Sequence, residues 1–459
     1  MSFFKAYDMR GTYGTDFNLA TIREVGRALV ETIGAGRWLI GRDCRVTSSN
    51  IRDALIDGLT SAGANVVDMG LCTTPMVYFF TASDNYDASV MITASHNPPT
   101  DNGLKVSMKM ALPVGYANGL DKVEEIVARR SALINNSSYL PAKRNDSDNK
   151  NYITRYVRWM QEHATAIDQS LTFAVDCSNG MASLIVKELF SNAVIINSDI
   201  DGTFPSHSPN PLNPEARNQI AEVVRSHQLD FGVIFDGDAD RAMFVDEHGD
   251  FVQPDYLTAL IAKETIEQLG LTAEESTVIY DVRTSRATIE AVHELNATGL
   301  MVPVGHALAK PILRKSGAIC GGELAGHYYF KEFFCCDSAV LATLRMSSVI
   351  AKAKRNGLSF SELIKQIKSR YANSGEMNFK VTDNDKAIAN VLAAAKNKLP
   401  AEISRSEIDG VRIEYKEGWI NIRKSNTEQL LRLVIETDNE ERLRQWIQTL
   451  SAAIEESDK

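Results

Sequence analysis

The sequence predicts a multidomain α/β protein built on parallel or mixed sheets. An apolar strand, a polar turn and an amphipathic helix recur along the chain, and alternation of this kind lays helices on sheets. The length, 459 residues, exceeds one ordinary domain and fits three or four. The loops richest in polar residues and glycine follow apolar runs, which is where ligands bind in α/β sheets.

Taken in order, Trp38-Leu39-Ile40-Gly41 reads as a strand leading into Arg42-Asp43-Cys44-Arg45, with a helix expected over 49–62 and a strand over 65–69. The apolar run Val90-Met91-Ile92 precedes Thr93-Ala94-Ser95-His96-Asn97-Pro98. Residues 135–151, rich in Asn, Ser, Asp and Lys, read as a linker. A strand over 173–176 leads into Cys177-Ser178-Asn179-Gly180 and an expected helix through 190. Residues 201–214 read as a long ordered loop. A strand over 231–235 ends in Asp236-Gly237-Asp238-Ala239-Asp240-Arg241, and a strand over 277–280 ends at Asp281 before a helix starting near 285. Residues 371–376 read as a hinge before a smaller C-terminal domain. The expected units are 1–148, 149–252, 253–370 and 371–459.

Composition narrows the function. Hydrophobic residues make up 44% and charged residues 24%, as in ordinary globular proteins. No apolar run approaches the roughly 20 residues of a membrane span, and the N-terminal residues lack a secretory pattern, so no membrane partner and a cytoplasmic location are expected. Six scattered cysteines without a C-x-x-C pair imply reduced thiols. The net charge is −10 and no basic stripe is present, so nucleic acid is not an expected partner. An anionic substrate would need cations gathered in one cleft, and Arg10, Arg42, Arg45, Arg241 and Arg423 lie in loops suited to that.

Ser95 is a candidate phosphoryl carrier, and a turn serine is the alternative. A serine-hydrolase reading lacks a G-x-S-x-G elbow. If the segment is extended, Ser95 and His96 face opposite ways and form no dyad. Asp236, Asp238 and Asp240 alternate with small residues, so their carboxylates can converge on a hard cation, with Mg²⁺ favoured beside a phosphate. The spacing also fits a calcium-binding EF-hand, but Arg241 stands where that loop needs glycine and the flanks read as strands. In Gly322-Glu323-Leu324-Ala325-Gly326-His327, Glu323 can accept two hydroxyl hydrogens, as from neighbouring hydroxyls of a sugar, and a Gly-rich turn with an exposed acid is the alternative. Arg423-Lys424-Ser425-Asn426-Thr427 suits a dianionic phosphate.

These four motifs, in this order, resemble those of the α-D-phosphohexomutase family, in particular its phosphomannomutase/phosphoglucomutase branch. The resemblance implies three similar mixed α/β domains and a smaller C-terminal α+β domain around a central cleft. It implies interconversion of hexose 1- and 6-phosphates of mannose, glucose or both, through a phosphoserine and a 1,6-bisphosphate. Ser95 would carry the phosphate and join Asp236, Asp238 and Asp240 on Mg²⁺. His96 would support it. Lys105, in the match to Asn-Gly-x-Lys, would be a general acid/base, given a lowered pKa or help from the phosphate. Arg10, in Tyr7-Asp8-Met9-Arg10-Gly11, Arg241 and His306 would complete the catalytic set. Glu323, Ala325, His327, Arg423, Ser425, Asn426 and Thr427 would bind substrate. Ala325 and Pro303 depart from the family pattern, which has Ser and Lys there. Hexose 1,6-bisphosphate is the expected activator, a sugar monophosphate the substrate, and a monomer or homodimer the expected state. Phosphoglucosamine mutase, a Mg²⁺-dependent sugar phosphatase and a non-catalytic sugar-phosphate binder are the alternatives.

Overall fold

A computed structural model describes residues 3–130, 139–164, 167–272, 274–425 and 430–458. The strands form four sheets. In the first, Asn65–Leu71, Arg37–Arg42 and Ala88–Ile92 run parallel, and Asp101–Met108 returns antiparallel to Ala88–Ile92. The second repeats this with Val194–Ile196, Phe173–Asp176 and Phe231–Phe235 parallel and Ala242–Asp246 returning. The third repeats it again with Thr298–Val302, Thr277–Asp281 and Cys320–Gly322, and Tyr328–Phe330 returning. The fourth is antiparallel, running Glu402–Ser406, Val411–Tyr415, Gly418–Lys424, Leu431–Thr437. The expected three similar mixed α/β units and a distinct C-terminal α+β unit are thus present.

Local chemistry places these elements. Ala88–Ile92 is buried at every position, as an apolar strand inside a parallel sheet should be. The helix Thr74–Ser83 starts where the Thr73 hydroxyl accepts from the Met76 N–H and Pro75 occupies the first turn. Ser359 and Glu362 form a reciprocal capping box that starts Phe360–Lys368.

Packing differs between units. One continuous apolar cluster joins the first three, from Leu39 and Phe79 through Phe173 and Phe231 to Val278 and Phe333. Phe79 stacks on Phe333 with ring centres 5.9 Å apart. The C-terminal unit has its own cluster under the helices Asn384–Lys398 and Glu440–Glu455. It meets the third unit through polar contacts: Arg286 Nη2 donates to Glu414 (2.7 Å), Arg412 Nη1 to the Val282 carbonyl (2.6 Å) and the Arg286 N–H to Glu436 (2.7 Å). An apolar junction resists movement, whereas a polar one is easily rearranged.

One expected element needs correction, and three other segments gain detail. The helix expected through 190 is only a tight turn, Met181–Leu184, and a single helical turn, Val186–Leu189. Ile185, at φ −129° and ψ −21°, interrupts the two pieces, and Phe190, at φ −124° and ψ 55°, ends the second. The hinge region contains a strand, Ala372–Asn373, paired with Leu431–Thr437. Residues 139–149 of the linker carry no helix or strand but are strapped to the first unit, with Tyr139 Oη donating to Asp57 (2.6 Å) and Asp146 gripped by Arg42 and Arg52. Residues 201–213 form the expected long loop, which ends at Pro214 in the helix Pro214–His227.

Candidate active site

Each of the first three sheets places a motif at the same topological point, the turn between the last parallel strand and its antiparallel return. Those turns are residues 93–100, 236–241 and 323–327. All lie beyond the carboxyl ends of parallel strands, where backbone groups open toward a ligand. The fourth motif begins within the strand Gly418–Lys424, whose last two residues are Arg423 and Lys424.

Ser95 is buried and adopts φ 52°, left-handed backbone that costs a non-glycine residue about 1 kcal/mol or more. Its N–H donates to Thr93 Oγ1 (2.8 Å) and its Oγ donates to Asp236 Oδ2 (2.8 Å). The bend overturns the extended-segment expectation: Ser95 Oγ lies 3.4 Å from His96 Nδ1, on the same side. Burial, reinforced by Arg241, Arg10 and Lys105, holds the His96 pKa well below the ordinary imidazole value. His96 is therefore neutral at pH 7 and a weak base.

The aspartates converge. One oxygen from each of Asp236, Asp238 and Asp240 lies within 4.8 Å of the others, and all three residues are fully buried. Burial, then the like charges of Asp238 and Asp240, push the Asp236 pKa well above the carboxylate range, a conflict that a divalent cation relieves. Asp238 Oδ1 and Asp240 Oδ1 have no hydrogen-bond partner among the described residues. A hard, anionic oxygen set with free lone pairs fits Mg²⁺. The antiparallel strands Phe231–Phe235 and Ala242–Asp246 flank the loop, which is not the helical frame of an EF-hand.

Lys105, on Asp101–Met108, extends Nζ to Asp238 Oδ2 (2.8 Å) and Asp240 Oδ2 (2.5 Å). Burial alone would depress its pKa, but Asp238 and Asp240 outweigh burial and raise it above the usual lysine value. Of the two routes open to an acid/base lysine, a lowered pKa is not the one present here. Arg10 reaches Asn97 Oδ1 (2.9 Å) beside the serine loop and pairs with Asp8 (2.6 Å). Arg42 and Arg45, expected as cleft cations, are committed elsewhere: Arg42 to Asp146, and Arg45 to backbone carbonyls.

The third unit closes the cluster. Arg241 Nε donates to His327 Nε2 (3.0 Å), and His327 Nδ1 lies 2.9 Å from Asp337 Oδ2. Asp337 also receives Lys310 (2.6 Å). His306 opens the helix His306–Ser316, with its ring centre 5.7 Å from that of His327. Burial, with Lys310 and Lys105, keeps the His306 pKa well below the ordinary value. Glu323 is buried and accepts from Tyr329 Oη (2.5 Å), while half-buried Ala325 contributes only a methyl.

Arg423 is buried and reaches Glu376 Oε2 (3.2 Å). The same carboxylate receives Arg283 (2.9 Å) from the third unit and Arg432 (3.2 Å). Arg283 in turn grips Asp281, which also accepts from the Leu324 N–H (2.9 Å) in the sugar loop. One polar chain therefore links the third and fourth motifs. The Ser425 N–H donates to the Leu430 carbonyl (2.8 Å). Asn426 and Thr427 lie outside the described residues.

Burial pushes the Glu376 pKa up, but Arg283, Arg423 and Arg432 prevail and hold it at about 2. Glu376→Gln is expected to cost about 3 kcal/mol, because it leaves buried guanidinium groups unpaired. The pKa is depressed from the ordinary 4.5 to about 2, so the stabilisation is complete above the ordinary value and is lost as pH falls toward the folded one. Melting curves should show the variant several degrees below wild type at neutral pH. The gap should close between about pH 4.5 and 2, and a gap independent of pH would rule out this role.

The sequence reading did not single out Thr74, whose Oγ1 donates to Asp238 Oδ2 (2.6 Å) and whose N–H donates to the Asp238 carbonyl (3.0 Å). Its signal was Thr73-Thr74-Pro75, a helix start. Asp337, Arg283 and Glu376 also lacked a local signal, because their partners are distant in sequence.

A serine against buried carboxylates, with lysine, arginine and histidine around them, is the constellation of enzymes that move phosphoryl groups with a divalent cation. The chain belongs to the phosphoglucomutase/phosphomannomutase family, whose models for α/β/α domains I, II and III match residues 1–133, 150–249 and 253–371, and whose C-terminal domain model matches 376–453. It is 34% identical over 439 residues to phosphohexose mutases of Xanthomonas campestris pv. campestris, covering 95% of this chain and 94% of the relative. It is 34% identical over 462 residues to a phosphomannomutase of Methanocaldococcus jannaschii, covering 99% and 98%. A crystal structure of a phosphoglucomutase/phosphomannomutase family protein from Burkholderia thailandensis superposes with TM-score 0.84 at 28% identity, covering 99% of this chain and 97% of that one. The protein is a phosphohexomutase, an isomerase of the intramolecular phosphotransferase kind.

Proposed function

We propose that this phosphohexomutase interconverts the 1- and 6-phosphates of mannose, glucose or both, with Ser95 as phosphoryl carrier and a hexose 1,6-bisphosphate as intermediate and activator. The supporting observation is the contact of Ser95 Oγ with Asp236 Oδ2 at 2.8 Å, inside a cluster built from three units. Asp236, Asp238, Asp240 and Ser95 would hold Mg²⁺, which when bound neutralises charge on the phosphoryl oxygens.

In the proposed step, a hydroxyl oxygen of the sugar monophosphate forms a bond to phosphorus as the bond from phosphorus to Ser95 Oγ breaks. The hydroxyl proton passes to a base, and the Ser95 oxygen regains a proton. Lys105, held charged, suits donation to the departing serine oxygen. His327 suits acceptance, because its Nε2 already serves as an acceptor and Asp337 faces its Nδ1. His96, His306, Arg10 and Arg241 line the transfer path. The bisphosphate then reverses, and its other phosphate returns to Ser95. Glu323 and the backbone at Ala325 read sugar hydroxyls in both orientations. Arg423, Ser425, Asn426 and Thr427 hold the phosphate that is not reacting. The polar junction of the C-terminal unit suits the opening this reversal needs.

The four units are taken as 1–148, 149–252, 253–370 and 371–459. A monomer or homodimer would suffice, since the contacts described arise within one chain. No described helix is long and apolar enough to cross a membrane, and six free cysteines fit a reducing, cytoplasmic setting.

The test is turnover of mannose 1-phosphate, glucose 1-phosphate and glucosamine 1-phosphate with Mg²⁺ and trace hexose 1,6-bisphosphate. Mannose or glucose 6-phosphate should accumulate without matching release of inorganic phosphate. Stoichiometric phosphate release would indicate a phosphatase, and preference for glucosamine would move the sugar assignment. Glu323→Gln should lower kcat/KM roughly 10–100-fold, the scale of lost charge-assisted hydrogen bonds. The loss should be similar for 1-phosphate and 6-phosphate substrates; a loss confined to one direction would argue against a shared hydroxyl reader.

A further inference from the structure

We infer that Arg45 is a positioning residue for the phosphoryl carrier, a role that rests on Ser95 carrying the phosphate. Arg45 is 1% exposed and bonds four backbone carbonyls between residues 95 and 101. Its Nη2 donates to the carbonyls of Ser95 (2.8 Å) and Asn97 (2.7 Å), and its Nη1 to those of Pro98 (2.5 Å) and Asp101 (3.0 Å). Nε lies 3.1 Å from Asp43 Oδ2. Asp43 is itself held, since its Oδ1 accepts from Ser48 Oγ (2.5 Å) and from the Arg45 N–H (3.0 Å).

A loop of the second unit covers this clamp. The Phe204 ring lies 5.0 Å from the guanidinium carbon. At Gly202 a Cβ would stand 2.6 Å from Arg45 Cα and 2.2 Å from the Cys44 carbonyl, so the loop seats directly on the arginine's backbone.

The chemistry of the clamp is specific. Four carbonyls converging on one point need a donor with several N–H groups in a fixed plane, which guanidinium supplies and ammonium cannot match in geometry. The bond to the Ser95 carbonyl restrains the residue whose φ is 52°, a conformation the chain would otherwise relax. Relaxation would swing Oγ away from Asp236. A displacement of about 1 Å in a reacting group is enough for a loss of about 10²-fold. Because Arg45 bonds the loop's carbonyls while the Ser95 hydroxyl bonds Asp236, the effect should fall on kcat rather than KM.

The experiment compares wild type with Arg45→Lys and with Asp43→Asn, which keeps volume but loosens the clamp. Circular dichroism first establishes that each is folded. Steady-state kinetics with saturating hexose 1,6-bisphosphate then give kcat and KM. Dephosphorylated protein mixed with glucose 1,6-bisphosphate, followed by intact mass, gives the rate at which Ser95 takes phosphate. Arg45→Lys should lower kcat and the uptake rate together by about 10²-fold, and Asp43→Asn by about 10-fold, with KM within about threefold of wild type. Folded variants with wild-type kcat, or with the loss in KM alone, would overturn the proposal. Unfolding of both variants would also overturn it, making the clamp a folding element. No phosphate uptake by wild type would instead sink the carrier reading beneath it.

Discussion

Ser95→Ala should leave a folded protein with no measurable mutase activity. The substitution removes one hydroxyl whose side-chain bond is to Asp236 Oδ2. Alanine meets the left-handed φ of 52° at much the same backbone cost as serine, so the loop retains its shape. The covalent route itself is lost, since the remaining hydroxyl on the aspartates, Thr74 Oγ1, bonds Asp238 and not Asp236. Loss of a covalent carrier lowers kcat by roughly 10⁴–10⁶-fold. Binding of sugar phosphate should persist, because its proposed contacts lie on Glu323 and Arg423. Two readings check this: isomerisation under Mg²⁺ with hexose 1,6-bisphosphate, and phosphate incorporation by intact mass. Appreciable turnover or incorporation by the variant would show that another residue carries the phosphoryl group.

Removal of divalent cation should be nearly as severe. Three buried carboxylates, countered among the near cations by Lys105 and Arg241, leave an excess of negative charge beside the serine proposed to carry phosphate. Chelation should lower kcat by about 10³-fold or more, since metal stabilisation of a transferring phosphoryl group is worth several kcal/mol. Activity should return with Mg²⁺. A second readout needs no turnover: at a Mg²⁺ concentration about 100 times the dissociation constant, the folded state gains about 2.7 kcal/mol, visible as a rise in melting temperature. Asp238→Asn should abolish that rise and the activity with it. The variant leaves Thr74 Oγ1 and Lys105 a neutral partner, so a modest loss of stability without Mg²⁺ is also expected. An unchanged Mg²⁺-dependent rise in the variant would place the cation elsewhere.

Much of this arrangement was legible in the residues. Strand-turn-helix alternation indicated α/β units, and Ala88–Ile92, Phe231–Phe235 and Thr277–Asp281 lie where apolar runs placed them. Ser95, Asp236, Asp238 and Asp240 carried their chemistry in local spacing, because alternate carboxylates separated by small residues converge through backbone turns alone. What failed or stayed open was whatever depended on φ or on a distant partner. The helix expected through 190 is interrupted at Ile185, whose φ is −129°. The supposed opposition of Ser95 and His96 vanishes because Ser95 turns at φ 52°. The direction of the Lys105 pKa, left open by the sequence, is upward because carboxylates more than 130 positions away surround it.

By itself, then, the sequence determined most of the elements and the position of the motif loops, since propensity, capping and residue spacing act within a few residues. Only the tertiary structure decided that three of those loops occupy one equivalent turn in three repeated sheets, and that Arg45 faces carbonyls while Arg423 faces Glu376. The physical reason is that charge in a buried site is set by every neighbour that chain folding brings near. Coulomb energies in a poorly screened interior depend on distance in space, and the spacing of residues along the chain does not carry that distance.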